Sequence, residues 1–312
     1  MIESSAPVTS DFTDYCRFFC QLRWLVASGQ DESAEAETLR DDMDVLWRRL
    51  TSADLDRLDA LADDLSHIGI ERSYSGTVPD DLTGELRKIL TGKDFDRALE
   101  FLRENEKRLP PHDVAALRGV LWAELGQHAP AAMFFADAVR LMPGNTQMRA
   151  LYLRALLKSG QAETARSEAL QMVTDDGDPY TLLLAADTLF DCLNWNDGTA
   201  SAAELKEIIE LVGRGMKCLK DDPIAEPWRS AIASSALYSK ALSHEILGEM
   251  SEAVIAARQA EQLVPALADS AATKQIDWSS EGNGRLRRQL QERRRRSHDA
   301  IVPITDRWLC AA

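Results

Sequence analysis

The sequence predicts an all-α fold in which antiparallel helix hairpins follow a small N-terminal helical module. Three observations predict it. Apolar residues recur three and four positions apart along almost the whole chain of 312 residues, the spacing that gathers side chains on one helix face. Strand signals are nearly missing, with no long alternating Val/Ile/Thr run and no Asn-Gly turn between two such runs. Small residues return at fixed offsets in several segments, as an internal repeat requires.

The elements follow in chain order. The first helix carries Tyr15, Phe18, Phe19, Leu22 and Leu25. Leu39, Met43, Leu46, Trp47 and Leu50 form the stripe of a second helix over residues 35–50. Thr51 opens T-S-A-D, a capping-box-like start with Asp54 in the fourth place. Leu55, Leu58, Leu61, Leu65 and Ile68 give the third helix its stripe. These helices make the N-terminal module, assigned to residues 1–75. Residues 69–81 hold Gly, Ser and Pro without periodicity and read as a linker.

Repetition starts in earnest at residue 112. Gly119 precedes Trp122 by three, and Gly126 falls at a turn between helices. Ala131 precedes Phe135 by four, Ala138 follows, and Pro143 closes the unit. Residues 146–179 put Gly160 and Ala165 in register with Gly126 and Ala131, and residues 234–267 repeat the offsets with Gly248, Ala253, Ala260 and Pro265. Upstream, Ala98 and Pro110 keep the Ala-to-Pro spacing, with Leu102 in the Phe position and Gly92 one place early. Small side chains at these places let two helices approach closely. Trp122 and Phe135 fill the space beside them, and the proline ends the second helix.

Segment 112–145 resembles a tetratricopeptide repeat, whose 34-residue pattern sets Gly-x2-Tyr ahead of Ala-x3-Phe and a closing Pro. There are departures. Ala115 and Arg118 stand where the family usually has Trp and Leu, and the next repeat has Ala169 in the Phe slot and Gly177 in the Pro slot. Between 180 and 223 the pattern is distorted: a helix near 180–193, a loop insertion at Asn194–Gly198, then a helix near 201–219. A long Ala- and Ser-rich helix runs from near Pro227 to Gly248. The resemblance covers about 79–267 and implies an α-solenoid of stacked hairpins, assigned to residues 76–268. It also implies a protein or peptide partner in the groove lined by each first helix. Val120, Glu124, Arg154, Lys158, Tyr238 and Glu245 are the candidate groove residues on that reading. One subclass clamps a C-terminal carboxylate with Lys and Asn on those helices. The equivalent positions here hold Ala116 and Val120, Ala150 and Arg154, and Tyr238 and Leu242, so that clamp is missing.

Residues 269–312 form a basic tail. Arg285, Arg287, Arg288, Arg293, Arg294, Arg295 and Arg296 put seven arginines in twelve residues, with Leu286 and Leu290 four apart. From Arg285 onward eight arginines against three acidic residues give +5, leaving −20 on the rest of a chain of net charge −15. That imbalance favours a helix folded back on the chain's own acidic body. The competing reading is a contact with nucleic acid or an acidic partner. The stretch Ile301–Leu309 is apolar without a helical pattern.

Composition and motifs bound the function. An isoelectric point near 4.8 repels phosphate, so nucleic acid is not expected as the main partner. No run of about 18 apolar residues predicts a membrane span, and Met1–Pro7 has neither the basic nor the apolar region of a secretory signal. Cys16, Cys20, Cys192, Cys218 and Cys310 are odd in number and lack paired ligand spacing, so free thiols in a cytoplasmic chain are expected. Cys16 and Cys20 share a helix face but lack further zinc ligands. Asp175-Asp176-Gly177-Asp178 fails the calcium-loop spacing and reads as a junction capping the helix at Pro179. His67, His112, His128, His244 and His298 are scattered. No nucleophile elbow, P-loop or dinucleotide fingerprint occurs, so no catalytic residue, cofactor or metal is expected. The expected role is a non-catalytic cytoplasmic scaffold or adaptor. The alternatives are a regulatory protein acting through Arg285–Arg296 and an enzyme without a recognisable motif.

Overall fold

A computed structural model describes residues 8–70, 74, 80–174, 178–193, 200–219, 227–263 and 283–299. Among them lie fourteen α-helices and one short 3-10 turn, with no strand. None of the described helices is long and apolar enough to cross a membrane. The chain divides into two compact units at Gly160/Gln161.

The first unit contains α1 (Ser10–Ala27), α2 (Ala34–Trp47), α3 (Ser52–Ser66), α4 (Asp80–Thr91), α5 (Phe95–Asn105), α6 (Pro111–Glu124), α7 (His128–Leu141) and α8 (Thr146–Lys158). The helices start where the caps say they should. Thr9, Ser33 and Thr51 each accept a backbone N–H at their helix's first turn, and Thr51 with Asp54 completes the capping box. Phe18 and Leu22 pack against a buried cluster of Leu25, Ala36 and Leu39 between α1 and α2.

The expected boundary near residue 75 does not separate compact units, because ion pairs and packing tie the N-terminal helices to those that follow. Arg57 holds Asp96 at 2.9 Å, and the fully buried Asp64 receives Arg103 through two bonds of 2.9 Å and Arg118 at 2.9 Å. Gln127 Nε2 donates to Thr13 Oγ1 at 2.9 Å, and α1 and α3 both pack on α7.

α6 and α7 form a hairpin whose closeness is set by Gly119. A Cβ there would lie 2.6 Å from Phe135 Cε1, inside any allowed contact. Trp122, Ala131, Phe135 and Ala138 are all buried around that contact. The turn is a left-handed glycine: Gly126 has φ +78°, its N–H bonds Ala123 O at 2.9 Å, and Gln127 N–H bonds Trp122 O at 2.8 Å, the pattern that closes a helix C-terminus. Pro143 follows the end of α7. Gly160, at φ +80°, follows α8. After α4 the same bonding recurs, but Lys93 takes the left-handed place at φ +54° beside Gly92.

The second unit contains α9 (Ala162–Thr174), α10 (Pro179–Cys192), α11 (Ala202–Cys218), α12 (Pro227–Ile246), α13 (Met250–Leu263) and α14 (Asn283–Asp299). α10 packs on α9, α11 and α12, while α12 also packs on α11, α13 and α14. Asp178 caps α10, and Ser201 with Glu204 boxes the start of α11. Gly248, at φ +80°, turns α12 into α13, where Ala253, Ala256, Ala257 and Ala260 are buried. Ala165 and Ala169 are buried on α9. Gly215 on α11 repeats the Gly119 device, since a Cβ would lie 2.8 Å from Leu183 Cγ. Pro265 and residues 194–199 lie outside the described residues, as does most of the linker at 69–81.

Gly119→Ala should lower stability by about 1–2 kcal/mol, overpacking partly offset by alanine's better helix propensity. Adding Phe135→Leu should recover part of the loss. Urea unfolding of the three proteins checks both; a neutral Gly119→Ala would contradict the close α6–α7 approach.

Candidate functional site

A buried polar cluster in the second unit surrounds Asp187 of α10. Asp187 is 4% exposed. Ser235 Oγ donates to its Oδ2 at 2.8 Å and Ser239 Oγ to its Oδ1 at 2.6 Å, both from α12. Arg294 of α14 donates through Nε to Oδ1 at 3.0 Å and through Nη2 to the Asp187 carbonyl at 3.1 Å. His298 Nε2 lies 2.6 Å from Oδ2. The other guanidinium arm, Nη1, reaches Asp191 at 2.6 Å, and the guanidinium stacks over Phe190 at 5.1 Å from the ring centroid.

The charges follow from this geometry. Burial alone would push the Asp187 carboxyl up, but Arg294, His298 and the Ser239 hydroxyl outweigh it and hold it well below the usual carboxylate range. Burial would likewise discharge Arg294, and Asp187 and Asp191 overcome it, so the guanidinium stays charged.

Further contacts extend the seam along α14. Arg287 Nε donates to the buried Glu245 Oε2 at 2.7 Å, and Arg293 lies 3.6 Å from Glu261 of α13. Ser297 Oγ lies 3.1 Å from Ser234 Oγ. Leu286 and Leu290 are buried. Tyr238 is buried beside Arg293, and burial with nearby Glu261 pushes its hydroxyl up to about 12.

Asp187, Asp191 and His298 bring three ligand atoms within 4.8 Å of one another, a spacing that suits a divalent cation. Here the guanidinium of Arg294 occupies the cationic position among them, and a metal ion would have to displace it. Sequence reading missed this cluster. Asp187 and Arg294 are 107 residues apart, so no local spacing betrays them; the signal was Asp187 and Asp191 four apart in the apolar run TLLLAADTLFDCL and five serines on the facing helix.

The sequence-derived residues fall into three groups. Glu124 and Lys158 are exposed and Arg154 is half-buried, all in the first unit. Lys158 and Arg154 lie near His128, whose pKa is lowered by burial first and by those two cations next. Val120, at 4% exposed, is buried on α6 and cannot line an open groove. Tyr238 and Glu245, at 3% and 4%, are also removed from an open groove, because α14 covers them. Of the arginines, Arg287, Arg293 and Arg294 are engaged within their unit. Arg295, with a side chain 71% exposed, and Arg296 pair with Glu292 on the same helix. Arg288 forms contacts of its own, and the Arg285 side chain lies outside the described residues.

A small cleft in the first unit is lined by Asp64, His67, Glu106, Arg118 and Asp137 among apolar side chains. Arg118 is buried there against Asp64 and lies 3.5 Å from Glu106. The carboxylates outnumber the cations in this cleft, which gives an anion no advantage there. The cysteines are free among the described residues. Burial pushes the Cys20 thiol up to about 12, Cys16 well up, and Cys192 up to about 11.

Asp187→Ala should cost on the order of 3–5 kcal/mol, because it leaves a buried cation short of its partner, and Asp187→Asn should cost less. A carboxyl held low in the folded state stabilises it at pH values above the unfolded pKa of about 4. The advantage of wild type over Asp187→Asn should therefore shrink as the pH falls from about 4 toward 2, as read by urea unfolding; a constant difference would exclude an ionised Asp187. Alkylation at pH 8 followed by mass spectrometry should modify the exposed Cys218 in the native chain and reach Cys16 and Cys20 only after unfolding.

No protein-family model, curated protein or solved structure matches the chain.

Proposed function

We propose that the chain is a non-catalytic, tetratricopeptide-like scaffold that binds a partner protein on the surface of its helix hairpins. The observation that carries this reading is the seat of α14. The hairpins of the second unit hold a helix from beyond the α12–α13 hairpin against α12, in part where the groove residues Tyr238 and Glu245 were expected. A face that holds a helix of its own chain by side-chain contacts has the chemistry to hold one from another chain. The Gly119–Phe135 and Gly215–Leu183 contacts and the left-handed turn glycines support stacked hairpins, and stacked hairpins offer a long binding surface at little ordering cost.

In the first unit, Arg154 and Lys158 beside His128 provide a cationic patch suited to an acidic segment of the partner. The alternative through Arg285–Arg296 is not favoured, because Arg287, Arg293 and Arg294 are committed to carboxylates of their own unit. A cytoplasmic setting agrees with the free thiols.

Affinity purification of the tagged chain from its native cells, read by mass spectrometry, tests the scaffold reading. A partner retained through washing is expected, and Arg154→Glu with Lys158→Glu should reduce its recovery at least fivefold. Unchanged recovery would remove the cationic patch from the interface; the absence of any retained partner would overturn the scaffold.

A further inference from the structure

α14 is held differently from the other helices of its unit. Residues 264–282 separate it in sequence from α13. Leu286 and Leu290 are the two large apolar side chains among its 17 residues, and both are buried. The rest of its hold is polar: Arg287 to Glu245, Arg293 to Glu261, Arg294 to Asp187 and Asp191, His298 to Asp187, and Ser297 beside Ser234. Those four acids come from three helices, α10, α12 and α13. Together with the pocket for two leucines they define a seat of fixed spacing.

Two consequences follow. The Arg294–Asp187 pair is buried and returns little net stability, since each charge has lost its water; the pairs through Arg287, Glu261 and Asp191 are partly exposed and screened, and two leucines bury little apolar surface. α14 is therefore the helix of its unit most readily exchanged, in the sense that local opening begins where apolar contact is scarce. The seat, in turn, cannot stand empty without leaving Asp187 and Glu245 uncompensated. It demands a cationic helix, and an acidic helix or a nucleic acid would meet four carboxylates.

We propose that Asp187, Asp191, Glu245 and Glu261 form a docking site for a basic amphipathic helix of a partner protein. The partner carries the pattern Leu-Arg-x-x-Leu-x-x-Arg-Arg, and α14 fills the site in cis until that helix displaces it. The idea rests on the scaffold reading only for the partner's existence; the site and its chemistry stand on the geometry of α14. Because the cis helix belongs to the same chain, a partner helix competes with an intramolecular contact, so displacement needs either a tight partner or a loosened α14.

The probe is a fluorescent peptide with the sequence of residues 283–299. It is titrated into the full chain and into the full chain carrying Arg287→Glu and Arg294→Glu, which repels its own α14 while leaving the seat intact. The released chain should bind the peptide at least tenfold more tightly than wild type. A peptide carrying Arg294→Glu should not bind, and Glu261→Arg added to the released chain should weaken binding at least fivefold. If the double variant loses its helical circular dichroism, Arg287→Ala at the half-exposed edge replaces it, with about a threefold gain expected. Equal binding by released and wild-type chains, or indifference to Glu261→Arg, overturns the site. A cellular partner recovered equally by both chains also removes this site while leaving the scaffold. Loss of every cellular partner removes the scaffold and leaves the peptide measurement to stand on its own.

Discussion

A helix with neither sheet nor disulfide to anchor it is held by what its face buries against the next helix, and that burial depends on how near the two axes come. In this chain nearness is set by missing side chains. Gly119 opens space for the ring of Phe135, and Gly215 does the same for Leu183. Alanines along α7, α9 and α13 carry the approach onward. A single added methyl at either glycine collides with a neighbouring side chain, and dense interiors transmit such a collision rather than absorb it.

On that frame the second unit places a charge that apolar packing alone could not tolerate. Asp187 sits among Leu, Ala and Phe, where an unpaired carboxylate would be driven to its neutral form. It stays ionised because two serine hydroxyls, a guanidinium and an imidazole converge on it. The same convergence decides where α14 lies, since one arginine position satisfies both Asp187 and Asp191. A buried charge that does little for net stability thus does much for specificity of place.

The helices were legible because 3.6-residue periodicity is local, and so were the turns at Gly126 and Gly248, where a left-handed residue all but requires glycine. Lys93 shows the limit: the chain bends where bonding demands it, one place past Gly92. The sign of the Arg285–Arg296 helix was legible too, and its preference for acidic surroundings followed from the net charge. Where it sits was not, because pairs such as Asp187–Arg294 join segments far apart in sequence and leave no spacing to read. Assigning Val120, Tyr238 and Glu245 to an open groove failed for a related reason. Helix register says which side a residue takes, and it is silent on what a later helix lays over that side.

The order of synthesis gives the α14 seat a last consequence. Ribosomes add about 5–20 residues each second, so the 107 residues from Asp187 to Arg294 take on the order of 5–20 s to emerge. For that interval Asp187 is without its counterion, and water must hydrate it. Closure of the unit around Asp187 then waits on the arrival of a single arginine.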